Sequence, residues 1–185
     1  MSDAAGGVAP ALSDRRPLVV LLCTGNAARS VMAGAVLANG TPSEEHVRLV
    51  TAGTHVVEGQ PMSRRTRAAL EAVGVGAAHH RSHQLNPADV EAATLIVAMA
   101  GDHVGYVRRT HPEAAAKTGT IKRLCRDLGG GPVPLTERVG ALGLAAVDVE
   151  PWEDVDDPAG GDDEDYVACA KQLFELCGDL APRLS

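Results

Sequence analysis

The stretch Leu18-Val19-Val20-Leu21-Leu22-Cys23-Thr24-Gly25-Asn26-Ala27-Ala28-Arg29-Ser30 decides the fold. Pro17 introduces five consecutive apolar residues. A continuous apolar run bounded by turn signals reads as a strand buried on both faces, the habit of parallel sheets. Residues 23–29 then read as a short polar turn containing Gly25, and 30–38 as a helix ended by Asn39-Gly40. The rest of the chain repeats the alternation. Strands are expected at 46–51, 94–100 and 120–124. Helices are expected at 64–73, capped by Ser63 and stopped by Gly74, after Asn86-Pro87, over 102–110, weakly over 136–144, and over 166–177. His111-Pro112 starts a short further turn. Buried strands alternating with amphipathic helices predict an α/β fold: a doubly wound, four-stranded parallel sheet with helices on both faces. Ligands of such sheets sit beyond the carboxyl ends of the strands, where Cys23 ends the first strand.

Composition narrows the function. The 185 residues suit one domain, expected over 17–185, behind a disordered tail over 1–16 rich in Ala, Gly, Pro and Asp. Aromatic residues make up 2%, namely Tyr106, Trp152, Tyr166 and Phe174, so the core is built from Ala, Val and Leu. The same shortage excludes stacking platforms for single-stranded nucleic acid. Seventeen basic residues against 24 acidic ones give a net charge of −7, which argues against nucleic acid as a partner. Ten of the acids fall between Arg138 and Lys171, a segment with no Lys or Arg. The four cysteines, Cys23, Cys125, Cys169 and Cys177, form no CxxC and no disulfide framework. No apolar run approaches the roughly 18 residues of a membrane span. No basic segment followed by an apolar core opens the chain, so a reduced, cytoplasmic protein with no membrane partner is expected.

Cys23 to Ser30 has the makings of an oxyanion site. A strand-to-helix turn can aim successive backbone N–H groups inward, as a cradle for a tetrahedral anion such as phosphate, sulfate or arsenate. Thr24, Gly25, Asn26, Ala27 and Ala28 would supply these donors together with Arg29 and Ser30. The helix N-terminus that favours an anion also favours a Cys23 thiolate. Arg29 offers planar, bidentate donors to two phosphate oxygens. Gly25 and Asn26 both tolerate the positive φ of a tight cradle. The Ser30 hydroxyl can donate to the Cys23 sulfur. His79, His80 and His83 lack acids or cysteines at ligand spacing, and no metal or cofactor is expected.

The segment VVLLCTGNAARSVMAGAVL (19–37) closely resembles the active-site strand, loop and helix of low-molecular-weight protein tyrosine phosphatases, whose fold is shared by thiol-dependent arsenate reductases. TAGTHVVEGQP (51–61), HHRSHQL (79–85), LIVAM (95–99) and DVDDPAGGDDEDY (154–166) resemble later family segments in the family's order. The resemblance implies a phosphomonoester hydrolase acting on a phosphorylated protein or a small phosphomonoester. Cys23 would be the nucleophile, Arg29 the oxyanion ligand, and Asp157, immediately before Pro158, the general acid. Asp156 is its nearest competitor. His80 would steady the cradle beside Asn26. Three departures stand out. Ala28 replaces a second loop cysteine. Ala100 stands where an Asp is common. Val56-Val57 and Ala159-Gly160 stand where aromatic residues commonly flank the pocket. Two other functions fit parts of the pattern: arsenate reduction completed by an external thiol, and non-catalytic oxyanion binding.

Overall fold

The computed structural model describes residues 15–39, 43–76 and 79–185. The expected tail therefore lies outside the described residues except for Arg15 and Arg16, and so does Gly40 of the expected helix stop. Four strands, β1 (Leu18–Cys23), β2 (Arg48–Gly53), β3 (Ala93–Ala98) and β4 (Thr118–Thr120), form one parallel sheet in the order β2-β1-β3-β4. β1 is buried along its whole length. Its side chains alternate between two cores, as the period of a strand requires. Val19, Leu21 and Cys23 join one core, and Leu18, Val20 and Leu22 the other.

Helices α1 (Arg29–Leu37), α2 (Ser43–His46), α3 (Arg64–Ala72), α4 (Pro87–Ala92), α5 (Gly101–Thr110), α6 (Ile121–Asp127), α7 (Leu135–Gly140) and α8 (Asp163–Leu180) surround the sheet. α1 packs on α8 over the first core, through Val31, Val36, Leu173 and Cys177. Val90 of α4 and Val107 of α5 cover the other face. The punctuation expected from the sequence is present. Ser63 caps α3, Gly74 follows it at φ 75°, and Asn86 opens α4 with a capping box to Asp89. Among the described residues, no helix is long and apolar enough to cross a membrane.

Two strands differ from expectation. β2 begins at Arg48, because His46 ends the short α2. The strand expected at 120–124 is instead three residues of β4 followed by α6. The Thr120 hydroxyl accepts from the Arg123 N–H at 3.3 Å and so caps the helix. Ile121 and Leu124 are both buried, and at three residues apart they share one face of the helix, whereas in a strand they would point to opposite faces.

Two local features fix the carboxyl edge of the sheet. Gly53 pairs with Cys23, and the chain beyond it clasps the loop: Thr54 N–H donates to Cys23 O and His55 N–H to Thr24 O. A Cβ on Gly53 would lie 2.5 Å from Thr24 O and 2.9 Å from Asn26 N, so only glycine permits this approach. Opposite, the acidic segment is anchored by Glu153, which is fully buried. Glu153 Oε2 accepts from Arg123 Nε at 2.9 Å and Thr120 Oγ1 at 2.6 Å, and Oε1 from the Glu150 N–H and Arg123 Nη2. Burial alone would raise this carboxyl. The donors from Arg123, Thr120 and the Glu150 backbone outweigh it and hold Glu153 below its usual range.

Gly53→Ala should lower stability by about 1–3 kcal/mol, the usual cost of overpacking, read from thermal or denaturant unfolding. Glu153→Ala should cost about 3–5 kcal/mol, because it strands the Arg123 guanidinium. The pH dependence follows from the depressed carboxyl. Its contribution is complete above the ordinary value of 4.5 and is lost as pH falls through the lower folded value. The gap in melting temperature between wild type and Glu153→Gln should therefore narrow in acid.

Candidate active site

The loop between β1 and α1 lies where the chain turns from β1 to β2 on one side and later to β3 on the other. This is the switch point at which α/β sheets bind ligands. Cys23 is buried at its base, with Sγ 2.9 Å from Ser30 Oγ. Asn26 Nδ2 donates to the same Ser30 oxygen at 3.0 Å, which leaves the hydroxyl hydrogen free for the sulfur.

Among the described non-glycine residues, only Asn26 has positive φ, at 48°. The left-handed conformation at this point turns the loop between β1 and α1. Three bonds hold it: the Ser30 contact, the His83 N–H donating to Asn26 Oδ1 at 2.8 Å, and His80 Nε2 donating to Asn26 O at 2.9 Å. Burial lowers the His80 pKa, although its bond to the carbonyl pulls the other way, so the ring is held towards its neutral form. Gly25 does not use positive φ, so the freedom expected of both residues is used only at Asn26. Thr66 Oγ1 donates to Ala27 O at 2.9 Å and ties the loop to α3.

Arg29 begins α1 and is buried. Its Nη1 donates to Val155 O at 3.1 Å, and its Nη2 to Asp157 Oδ2 at 2.6 Å and to Thr24 Oγ1 at 3.4 Å. The structure thus brings together Cys23, Arg29, Ser30 and a carboxylate 128 residues beyond Arg29. Asp157, not Asp156, makes the ion pair. Its other oxygen accepts from the Ala159 N–H at 3.0 Å. Val155 N–H donates to Met99 O at 2.8 Å and fixes the acidic segment beside β3. Asp156, Asp157, Asp165 and Gln172 line a cavity of about 280 Å³ next to the ion pair, together with Pro158 and Cys169. Val57 is 72% exposed.

The histidines at 79, 80 and 83 do not gather. His80 serves Asn26 O, and His83 Nε2 donates to Asp89 at 2.7 Å. No group of three potential ligands converges on a metal position among the described residues. Sequence reasoning passed over Gly53, Thr66 and His103. His103, on the first turn of α5, stands 3.0 Å from Thr24 Oγ1. A usable signal existed for it: a polar residue just beyond the carboxyl end of a strand beside β1 faces the same crevice.

A buried cysteine at the base of a strand-to-helix loop, an arginine beside it and a carboxylic acid on a separate loop are the parts of a phosphoryl-transfer site that forms a covalent intermediate. A family model described as low molecular weight phosphotyrosine protein phosphatase matches residues 18–130. A protein-arginine-phosphatase from Geobacillus stearothermophilus is 31% identical over 166 residues, 90% of this chain and 95% of that protein. EpsP of Ralstonia nicotianae, a probable low molecular weight protein-tyrosine-phosphatase, is 32% identical over 106 residues, 57% of this chain and 69% of its own length. The solved YwlE arginine phosphatase from Geobacillus stearothermophilus superposes with a TM-score of 0.69 at 29% identity, covering 89% of this chain and 90% of that one. These matches run through the loop, the sheet and the helices just described, and the chain belongs to the low molecular weight phosphotyrosine protein phosphatase family.

Proposed function

We propose that this chain is a phosphatase that removes phosphoryl groups from protein side chains through a cysteinyl-phosphate intermediate. The observation that carries the reading is the convergence of the Cys23–Ser30 contact with the Arg29–Asp157 ion pair at one loop. The Cys23 sulfur attacks phosphorus in line while the bond to the leaving atom breaks. Arg29 and the loop amides hold the equatorial oxygens. An incoming dianion draws the guanidinium away from Asp157. That frees a carboxyl which, once protonated, gives its proton to the leaving atom. Asp157 then takes a proton from water as that water attacks phosphorus. The S–P bond breaks, and inorganic phosphate leaves.

The rim favours a cationic leaving group over an aromatic one. Val57 and the Ala159-Gly160 pair, at the positions where family members carry flanking aromatic residues, offer no ring to sandwich a phenol, whereas Asp156 and Asp165 line the cavity beside the ion pair. A guanidinium released from phosphoarginine suits such a wall, in keeping with the relative named as a protein-arginine-phosphatase. Arsenate reduction by an internal thiol relay is not favoured. Burial pushes the thiols of Cys125 and Cys169 up to about 11 and about 12, and Cys177 further in the same direction. None supplies a ready thiolate. An external thiol or a purely binding role would leave the Asp157 contact without a task.

Wild type should hydrolyse p-nitrophenyl phosphate in mildly acidic buffer, and Cys23→Ser should abolish turnover. Asp157→Ala should lower kcat roughly a hundredfold or more, and most for poor leaving groups. No Cys23-dependent turnover by folded, reduced protein would refute the reading. On peptides matched in sequence, kcat/KM should be higher for phosphoarginine than for phosphotyrosine. Asp156→Asn should narrow that ratio, and an unchanged ratio would remove the acidic wall from the account.

A further inference from the structure

Thr24 follows Cys23 directly and is an exposed residue of the loop. Its hydroxyl oxygen has two nitrogen neighbours, His103 Nε2 at 3.0 Å and Arg29 Nη2 at 3.4 Å. Arg29 can only donate. His103 is 3% exposed, and its Nδ1 has no hydrogen-bond partner among the described residues. Burial, aided by the charge of Arg29, lowers this imidazole to about 4, against the pull of Asp102, Asp157 and Asp154. The ring is therefore neutral at working pH and carries one hydrogen. On Nδ1, that hydrogen would be an orphaned buried donor. On Nε2, it finds Thr24 Oγ1 and leaves only a bare lone pair unpartnered, the less costly arrangement. With His103 and Arg29 both donating, the two lone pairs of the Thr24 oxygen are occupied. Its own hydrogen has to point elsewhere.

We propose that His103, by donating from Nε2 to Thr24 Oγ1, turns the Thr24 hydroxyl hydrogen into the loop mouth, where it donates to the phosphoryl group undergoing transfer. Thr24 is then a catalytic residue and His103 a positioning residue. When Arg29 leaves Asp157 for the phosphoryl oxygens, the His103 contact remains and keeps the hydroxyl aimed. The bond to substrate strengthens as negative charge shifts during transfer, so its loss appears in kcat more than in KM.

The inference rests on the phosphatase reading for its substrate but not for its geometry, and two measurements separate the two. Nitrogen-15 NMR of the His103 ring in the unliganded protein, assigned by comparison with His103→Gln, should show the hydrogen on Nε2 at neutral pH. A hydrogen on Nδ1 would overturn the proposal whatever the activity. In p-nitrophenyl phosphate turnover, Thr24→Val should lose roughly tenfold to a hundredfold in kcat with little change in KM, and Thr24→Ser should recover most of it. His103→Leu should lose a similar factor, with the double variant no worse than Thr24→Val alone. His103→Gln, which keeps an amide donor, should recover much of the rate. Wild-type kcat in Thr24→Val, or losses that multiply in the double variant, would overturn the proposal. Should His103→Leu fail to fold, Thr24→Val against Thr24→Ser and the ring tautomer decide. Absence of turnover in wild type would instead sink the phosphatase reading and leave the tautomer to judge the geometry.

Discussion

The site depends on holding one non-glycine residue in left-handed backbone. Asn26 pays about 1–2 kcal/mol in steric terms for φ 48°, and its side chain and carbonyl recover it through bonds to Ser30, His83 and His80. These three partners come from α1 and from the segment at 79–85, so the turn is stable only when β1, α1 and that segment are already assembled. The same bonds decide the chemistry at the loop floor. Because Asn26 supplies a hydrogen to Ser30, Ser30 can spend its own on the Cys23 sulfur. One side chain thus holds both the turn and the hydroxyl that faces the sulfur.

Around this turn the molecule is arranged so that rigid elements bear the fixed groups. β1 places Cys23 and α1 places Arg29, both on buried elements. The carboxylate arrives from a long acidic segment tied down at several points. These ties are the Glu153–Arg123 ion pair, the Val155–Met99 backbone bond, Asp154 Oδ1 accepting from the Gly101 N–H at 2.7 Å, and Asp162 capping α8. Asp157 lies between these ties with its side chain 42% exposed. It can therefore trade partners without unfolding its surroundings.

Much of this was legible in the sequence because it is local. The five apolar residues before Cys23 identify β1, Ser63 and Asn86-Pro87 mark helix starts, and Cys23, Arg29 and Ser30 lie within eight residues. The resemblance of 154–166 to a known loop singled out Asp157 from its acidic neighbours, which composition could not do. Non-local features were hidden. The segment 120–124 is too short for its apolar residues to reveal a period, and Thr120 as a cap is what marks the start of α6. Gly53 looks like any strand-ending glycine until the loop backbone is seen against it. His103 carries no motif, and its meaning comes from the parallel pairing of β3 with β1, which brings α5 to Thr24.

The Arg29–Asp157 pair also makes the resting protein its own competitor. A tethered carboxylate occupies the guanidinium, so any incoming anion has to outbid a ligand whose effective concentration is fixed by the chain. A monoanion such as acetate offers no more than the carboxylate it would evict. A phosphoryl dianion offers more charge and enough oxygens to engage the guanidinium and the loop amides together. The tether therefore acts as a filter that discounts the abundant small carboxylates and halides of solution.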